Sequence, residues 1–287
     1  MNLRQVRKKT KSIRNVKKIT KALELVSAVK MRKAQQLEVD GRPYRDALTH
    51  AMEKLLPRID RTSSILLQTK DNKLGRNIVI FISSNKGLCG SFHMNLYRFI
   101  LRSKLDFSKT DFVTVGGKGR QFVMRMGGHI LADFSKTKFL NEVSALFSFV
   151  RERFLTEDYN QVSIIYNKYL STFKSETKEE GLLPFSLKQE EIEKTSPTLE
   201  YFIEPSVDSI IEPILISYIE EKIRGAIISS EAVEHASRMM SMKNATDNAT
   251  DIIYNLTLIG NKLRQEKITS ELLDMITAKE SVEVSQN

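Results

Sequence analysis

Tryptophan is absent from this 287-residue chain, and there are only six prolines and twelve glycines. Such a composition suits long helices better than an all-β fold. The single cysteine, Cys89, excludes an internal disulfide and fits a reducing compartment. The four histidines, His50, His93, His129 and His235, share no ligand spacing with one another or with Cys89, so the sequence offers no metal site. No apolar run reaches the ~18 residues that a membrane helix needs. The N-terminus lacks the apolar core of a secretory signal, and its helical pattern reads as mature protein.

Charge is concentrated in one place. Residues 1–33 carry twelve lysines and arginines against one acid, Glu24, a net +11 in a chain of net +10. The basic face includes Arg7, Lys8, Lys9, Arg14, Lys17, Lys18 and Lys21. A bare solvated face of that density repels itself. It calls for an acidic partner, either nucleic acid or an acidic protein surface. No aromatic residue precedes Tyr44 to stack on bases and no recognition motif is present, so physics alone leaves the two open.

Apolar residues recur at Leu3, Val6, Ile13, Val16, Ile19, Leu23, Val26 and Val29. Those steps predict a helix with a narrow seam, closer to a coiled coil than to a core face. A second such pattern runs through Ile211, Leu215, Ile219, Ile223 and Ile227, then Ile252, Leu256, Ile259, Leu263, Ile268, Leu272 and Ile276. Pro213 is expected in its first turns, with Gly225 and Gly260 as tolerated breaks. Long isolated stripes need partners, so the two terminal helices are expected to pair antiparallel. The polar stretch Asn244–Thr250 has poor helix propensity and implies polar contacts with the partner helix or another chain.

The middle alternates strand and helix. Ile78–Ile82 is a continuous apolar run of the kind a strand buried on both faces requires. A helix is expected over His93–Leu105, strands at Phe112–Val115, Ile130–Asp133 and Val162–Leu170, and helices through Met126 and from Val143 to Phe154. The whole is α/β plus a long antiparallel coiled coil, with a Rossmann-like central domain and a largely parallel sheet. The expected boundaries are 1–57 for the first helix, 75–200 for the α/β domain, 207–280 for the second helix and 281–287 for a tail. Residues 171–200 read as loops or an edge hairpin.

Two glycine-rich loops follow strands: Asn85-Lys86-Gly87-Leu88-Cys89-Gly90 and Gly116-Gly117-Lys118-Gly119-Arg120. Neither has the full spacing of a phosphate-binding loop. Tight strand-to-helix turns are the favoured reading, with a nucleotide-dependent enzyme as a rival. No catalytic constellation is visible.

Three segments nevertheless form a recognisable set. SIRNVKKITKALELVSAVKMRKA at 12–34, SSNKGLCG at 83–90 and SEAVEHASRMMSMKNATDNA at 230–249, continued by NKLRQEKITSEL at 261–272, resemble the gamma subunit family of F-type ATP synthases. Departures are small: Leu23 for a common Met, Asn85-Lys86 for Asp-Arg, and Leu263 and Lys267 where small residues are common. The inserted cysteine pair of the plant chloroplast form is absent.

The resemblance implies a non-catalytic rotor shaft, one copy per complex, coupling proton flow to ATP synthesis or hydrolysis. It implies as partners three alpha and three beta subunits, the epsilon subunit and the membrane ring of c subunits, and no nucleic acid. It implies no cofactor on this chain, with ATP, ADP and Mg held by partner subunits. It places the chain peripherally on the cytoplasmic face of a bacterial inner membrane. By the same resemblance Leu23, Arg238, Gln265, Thr269 and Glu271 contact partners, the basic face meets acidic loops, and Gly87, Leu88, Cys89 and Gly90 form a central-domain loop. A basic coiled-coil nucleic-acid-binding protein is the alternative.

Overall fold

The computed structural model describes residues 2–55, 59, 64–68, 75–103, 105–135, 139–156, 159–185 and 207–284. Its elements are α1 (Leu3–Leu55), β1 (Arg76–Ile82), α2 (Phe92–Arg102), β2 (Thr110–Val115), α3 (Gly117–Arg125), β3 (His129–Asp133), α4 (Val143–Thr156), β4 (Tyr159–Ser171), β5 (Lys174–Leu183) and α5 (Val207–Val284). They form two compact units: Met1–Val26 with Met239–Asn287, and Ser27–Arg238. The terminal helices therefore serve both units, where the sequence suggested divisions at 57, 75 and 207. α5 also runs past the expected end at 280; residues 285–287 lie outside the described residues, as do 56–57 and 186–200.

In the larger unit the sheet order is β3-β2-β1-β4-β5. β1 lies parallel to β2 and β4, and β2 parallel to β3. β5 returns antiparallel on β4, which resolves the choice left open after residue 171 in favour of an edge hairpin as far as Leu183. The apolar run of β1 is buried on both faces. Ile78, Ile80 and Ile82 join α4, α5 and Met52 in one core, while Val79 and Phe81 join α2, α3 and Val233 in the other. Each such side chain contributes roughly 1.5–3 kcal/mol. At the start of the strands the buried Asp111 carboxylate accepts hydrogen bonds from Arg76, His129 and Tyr159, which ties the first turns of β1, β2, β3 and β4 together.

α1 and α5 also pack in this unit. Gly41 and Gly225 are more than tolerated breaks here. A Cβ on Gly41 would meet the Arg45 guanidinium at 2.9 Å, and one on Gly225 would touch the Arg45 side chain at 3.8 Å. The two glycines leave room for Arg45, which reaches Glu38 at 2.7 Å. α1 continues through Pro43 and α5 through Pro213, so packing outweighs the ~3 kcal/mol helix penalty of each proline.

In the smaller unit the helices are antiparallel: Val6 lies beside Gly260, and Thr20 beside Thr246. Asn2 and Gln5 exchange hydrogen bonds at the start of α1, a reciprocal cap in which each backbone amide donates to the other's side-chain oxygen.

The seam differs from the one read in sequence. Val16 (48% exposed), Ile19 (60%), Val26 (53%) and Val29 (68%) face outward. Of the residues read as the seam, Val6 is buried and Leu3, Ile13 and Leu23 are half-buried, and the buried line continues through Thr20, Ser27, Met31 and Ala34. Small and hydroxyl side chains let the backbones approach, and Thr20 meets Thr246 Oγ1 to Oγ1 at 2.8 Å. That contact accounts for the polar stretch within α5. On α5, Leu256 is buried but Ile252, Ile259, Ile268, Leu272 and Ile276 are exposed. With Val6 beside Gly260, α1 runs out near residue 263 of α5, so Ile268, Leu272 and Ile276 have no helix to pack on, whereas Ile252 and Ile259 lie on the outward face of the paired stretch.

Candidate functional site

Three features bear on function: a basic and apolar surface on the paired helices, an unpaired stretch of α5, and a junction where α5 meets the loop after β1.

The first belongs to the smaller unit. Arg7, Lys8, Lys9, Arg14, Lys18 and Lys21 are exposed on α1, and Lys17 is half-buried. Lys21 pairs with Glu24 at 2.9 Å. The first turn holds no acid, so these cations oppose the positive end of the helix dipole rather than offset it. Arg7, Lys11, Arg14 and Arg264 line a groove of about 500 Å³ with Thr10, Thr257 and Asn261. Its chemistry suits carboxylates. Between the cations stand the outward-facing Val16, Ile19, Leu25 and Val26. The sequence reading missed this apolar component because it assigned Val16, Ile19 and Val26 to the seam; their spacing fits either face, and only the burial of Thr20 and Ser27 decides it.

On the unpaired part of α5, Gln265, Thr269 and Glu271 are all exposed. Thr269 Oγ1 donates to the Gln265 carbonyl at 3.0 Å, and Glu271 pairs with Lys267 at 3.3 Å. Leu23, by contrast, is half-buried on α1.

The third feature lies in the larger unit. Arg238 is only 8% exposed. Its guanidinium donates to Glu234 at 2.7 Å and to the carbonyls of Lys86 and Gly87 at 3.2 Å. The structure thus uses Arg238 inside the chain, clamping α5 to the loop. The loop itself turns through two left-handed residues, Leu88 at φ 62° and Gly90 at φ 53°. The turn exposes Leu88 and buries Cys89. His93 sits between Ser84 Oγ at 2.9 Å and Cys89 Sγ at 3.3 Å.

This chain of three resembles a nucleophile with its base, but its electrostatics oppose that role. Burial, with the charges of Lys118 and Arg238, pushes His93 down to about 4. Burial pushes the Cys89 thiol up. A neutral imidazole beside a protonated thiol holds the loop in shape. No group of histidine, cysteine and carboxylate side chains able to hold a metal occurs among the described residues.

The strand order reverses between β1 and β4, the place where open α/β sheets bind ligands at the ends of their strands. Here the chain fills it. Asn167 donates to the Phe92 carbonyl, the Tyr169 amide donates to Ser229 of α5, and Arg238 holds the loop. The second glycine loop is likewise committed. The amides of Gly117, Lys118 and Gly119 donate to Asn85, Ser84 and Ser83. Gly116 has φ 104°, and a Cβ there would lie 2.7 Å from the Ser83 backbone. These donors, which could otherwise cradle a phosphate, bind the two loops to each other.

Comparisons with known proteins agree with this architecture. A family model described as ATP synthase matches residues 2–282. The ATP synthase gamma chain of Geobacter sp. (strain M21) is 34% identical over 98% of this chain and 99% of its own. That of Aquifex aeolicus (strain VF5) is 33% identical over 97% of each. Among solved structures, a chain from the Euglena gracilis mitochondrial ATP synthase (OSCP/F1/c-ring, rotational state 3) aligns with a TM-score of 0.69 at 18% identity, over 99% of this chain and 96% of that one. One from the central stalk and c-ring of the Tetrahymena thermophila mitochondrial enzyme aligns at 0.60 and 24% identity, over 79% and 99%. At these identities the structural likeness speaks for the fold alone. Nothing in these matches favours the nucleic-acid reading.

Proposed function

We infer how this chain works from one premise: it belongs to the ATP synthase gamma chain family. It is the central rotor shaft of ATP synthase, coupling proton flow through the membrane ring to ATP synthesis or hydrolysis in the catalytic hexamer. The outward apolar and basic side chains of the paired helices face the surrounding alpha and beta subunits, three of each, with the cations opposite acidic loops. The unpaired stretch of α5, with Gln265, Thr269 and Glu271, turns inside them. The α/β unit meets the epsilon subunit and the c ring. One copy serves each complex.

The observation that carries this reading is the outward placement of Val16, Ile19 and Val26 among cations, an arrangement suited to a surrounding protein surface. An asymmetric shaft offers each catalytic subunit a different face, and differential contact is what lets rotation shift nucleotide affinity. The chain itself performs no chemistry. Its switch-point crevice is filled by α5 and its loop amides are internally bonded, so ATP, ADP and Mg belong to partner subunits. No helix among the described residues is long and apolar enough to cross a membrane. We place the chain peripherally, on the cytoplasmic face of a bacterial inner membrane.

The test uses the assembled complex in vesicles. Gln265→Ala with Thr269→Ala should lower ATP-driven proton pumping severalfold. Normal pumping and normal ATPase rate in the double variant would remove Gln265 and Thr269 from the contact surface.

A further inference from the structure

Within the larger unit, α1, the β4–β5 hairpin and α5 enclose a cavity of about 650 Å³. Small-molecule sites span ~300–1,000 Å³. None of its lining residues belongs to the two glycine-rich loops, but Tyr169 and Ser229, which help close the switch-point crevice, also line it, so it lies on the other side of that contact. Its floor is a strip of small residues on α5, Gly225, Ala226, Ser229 and Ala232, and Tyr166 and Tyr169 supply an aromatic wall.

Five cations and three carboxylates line the cavity. Most are already engaged. Arg45 pairs with Glu38, Lys178 with Glu180, and Glu221 with Arg224. Lys222 lies over the rings of Phe185 and Tyr218. Arg42 on α1 and Lys168 on β4 remain, and neither has an ion pair or hydrogen bond among the described residues. The lining thus carries a net excess of two positive charges, and its two unpaired cations come from different elements. Two buried polar atoms in the same lining, Glu38 Oε2 and Arg45 Nη1, also lack hydrogen-bond partners. Buried polar groups are rarely left so.

We propose that this cavity binds a small organic phosphate. A phosphate monoester carries about −1.5 to −2 charges at pH 7, which matches the excess. Its phosphate meets Arg42 and Lys168, and its flat or apolar body lies between the tyrosine wall and the small-residue floor. Because the three walls come from α1, α5 and the hairpin, an occupant braces these elements against one another within the larger unit.

The full chain is titrated by calorimetry with three probes: AMP, methyl phosphate as the anion without a body, and adenosine as the body without the anion. AMP is expected to saturate, with the other two at least tenfold weaker. Arg42→Gln with Lys168→Gln should weaken AMP at least tenfold with an unchanged circular dichroism spectrum, and Arg42→Lys with Lys168→Arg should restore most of the affinity. Lys8→Gln with Lys9→Gln, on the basic segment of α1, should leave it unchanged. The proposal is overturned if AMP does not saturate, if adenosine binds as well as AMP, if the Gln pair has no effect, or if the Lys8 and Lys9 changes abolish binding. Capture on phosphatidic acid vesicles without AMP binding would assign the cations to a lipid headgroup and overturn it equally.

Discussion

Gly116 and Gly87 lie in the two facing loops, yet the structure constrains only one of them. Gly116 combines a left-handed φ with a Cβ position blocked by the Ser83 backbone. Gly116→Ala should lower the unfolding free energy by about 2–3 kcal/mol. Gly87→Ala meets nothing within 4 Å and should change it by less than about 0.5 kcal/mol. Urea midpoints at constant m separate the two. His93 and His235 set a pH dependence of definite sign. Burial and neighbouring cations hold both at about 4 in the folded chain. The unfolded chain therefore takes up their protons first, and stability falls as pH drops from about 6.5 towards 4. Burial raises Glu231 and Glu234, which act in the opposite direction. Denaturation at pH 7, 5.5 and 4.5 should show the fall, and His93→Gln should make it shallower. An equal fall in the variant would exclude His93 as a source. Neither histidine nor Arg238's role as a clamp was visible in the sequence, because each depends on groups that lie next to it only after folding.

At the scale of elements, the Thr20–Thr246 contact tests the revised seam. Thr20→Val leaves a buried hydroxyl on Thr246 with one partner fewer and should cost about 1 kcal/mol. The double change to Val removes both hydroxyls in a volume-matched way and should recover most of that loss. Additive costs in a double-mutant cycle would show that the hydroxyls do not act together. The strands and short helices of the centre were legible because a doubly buried strand has to read as a continuous apolar run, as β1 does. β4 begins earlier than its apolar residues, at Tyr159, since Asn160 and Gln161 interrupt the pattern. The helix pair was legible as helices but not as a seam. Apolar spacing cannot distinguish a face buried within the chain from one reserved for a partner, and here Val16, Ile19 and Val26 belong to the second kind.

For the whole molecule, that distinction separates stability from assembly. Val16→Ser, Ile19→Ser and Val26→Ser together should alter unfolding of the isolated chain by no more than about 2 kcal/mol, since each side chain is already about half exposed. The same changes should markedly reduce recovery of the chain with alpha and beta subunits. Loss of stability without loss of assembly would place these residues back in the seam. Motifs spread across residues 12–272 made the family legible, while the cavity between helices and hairpin had no signature, being built from single residues far apart in the chain.

The unequal lengths of the two terminal helices have a mechanical consequence. Torsional rigidity rises steeply with cross-section, so two packed helices resist twisting far more than one. Beyond residue 263, α5 carries torque alone. Under load, elastic twist gathers in that single-helix stretch, and the chain behaves there as a spring in series with its stiffer paired portion.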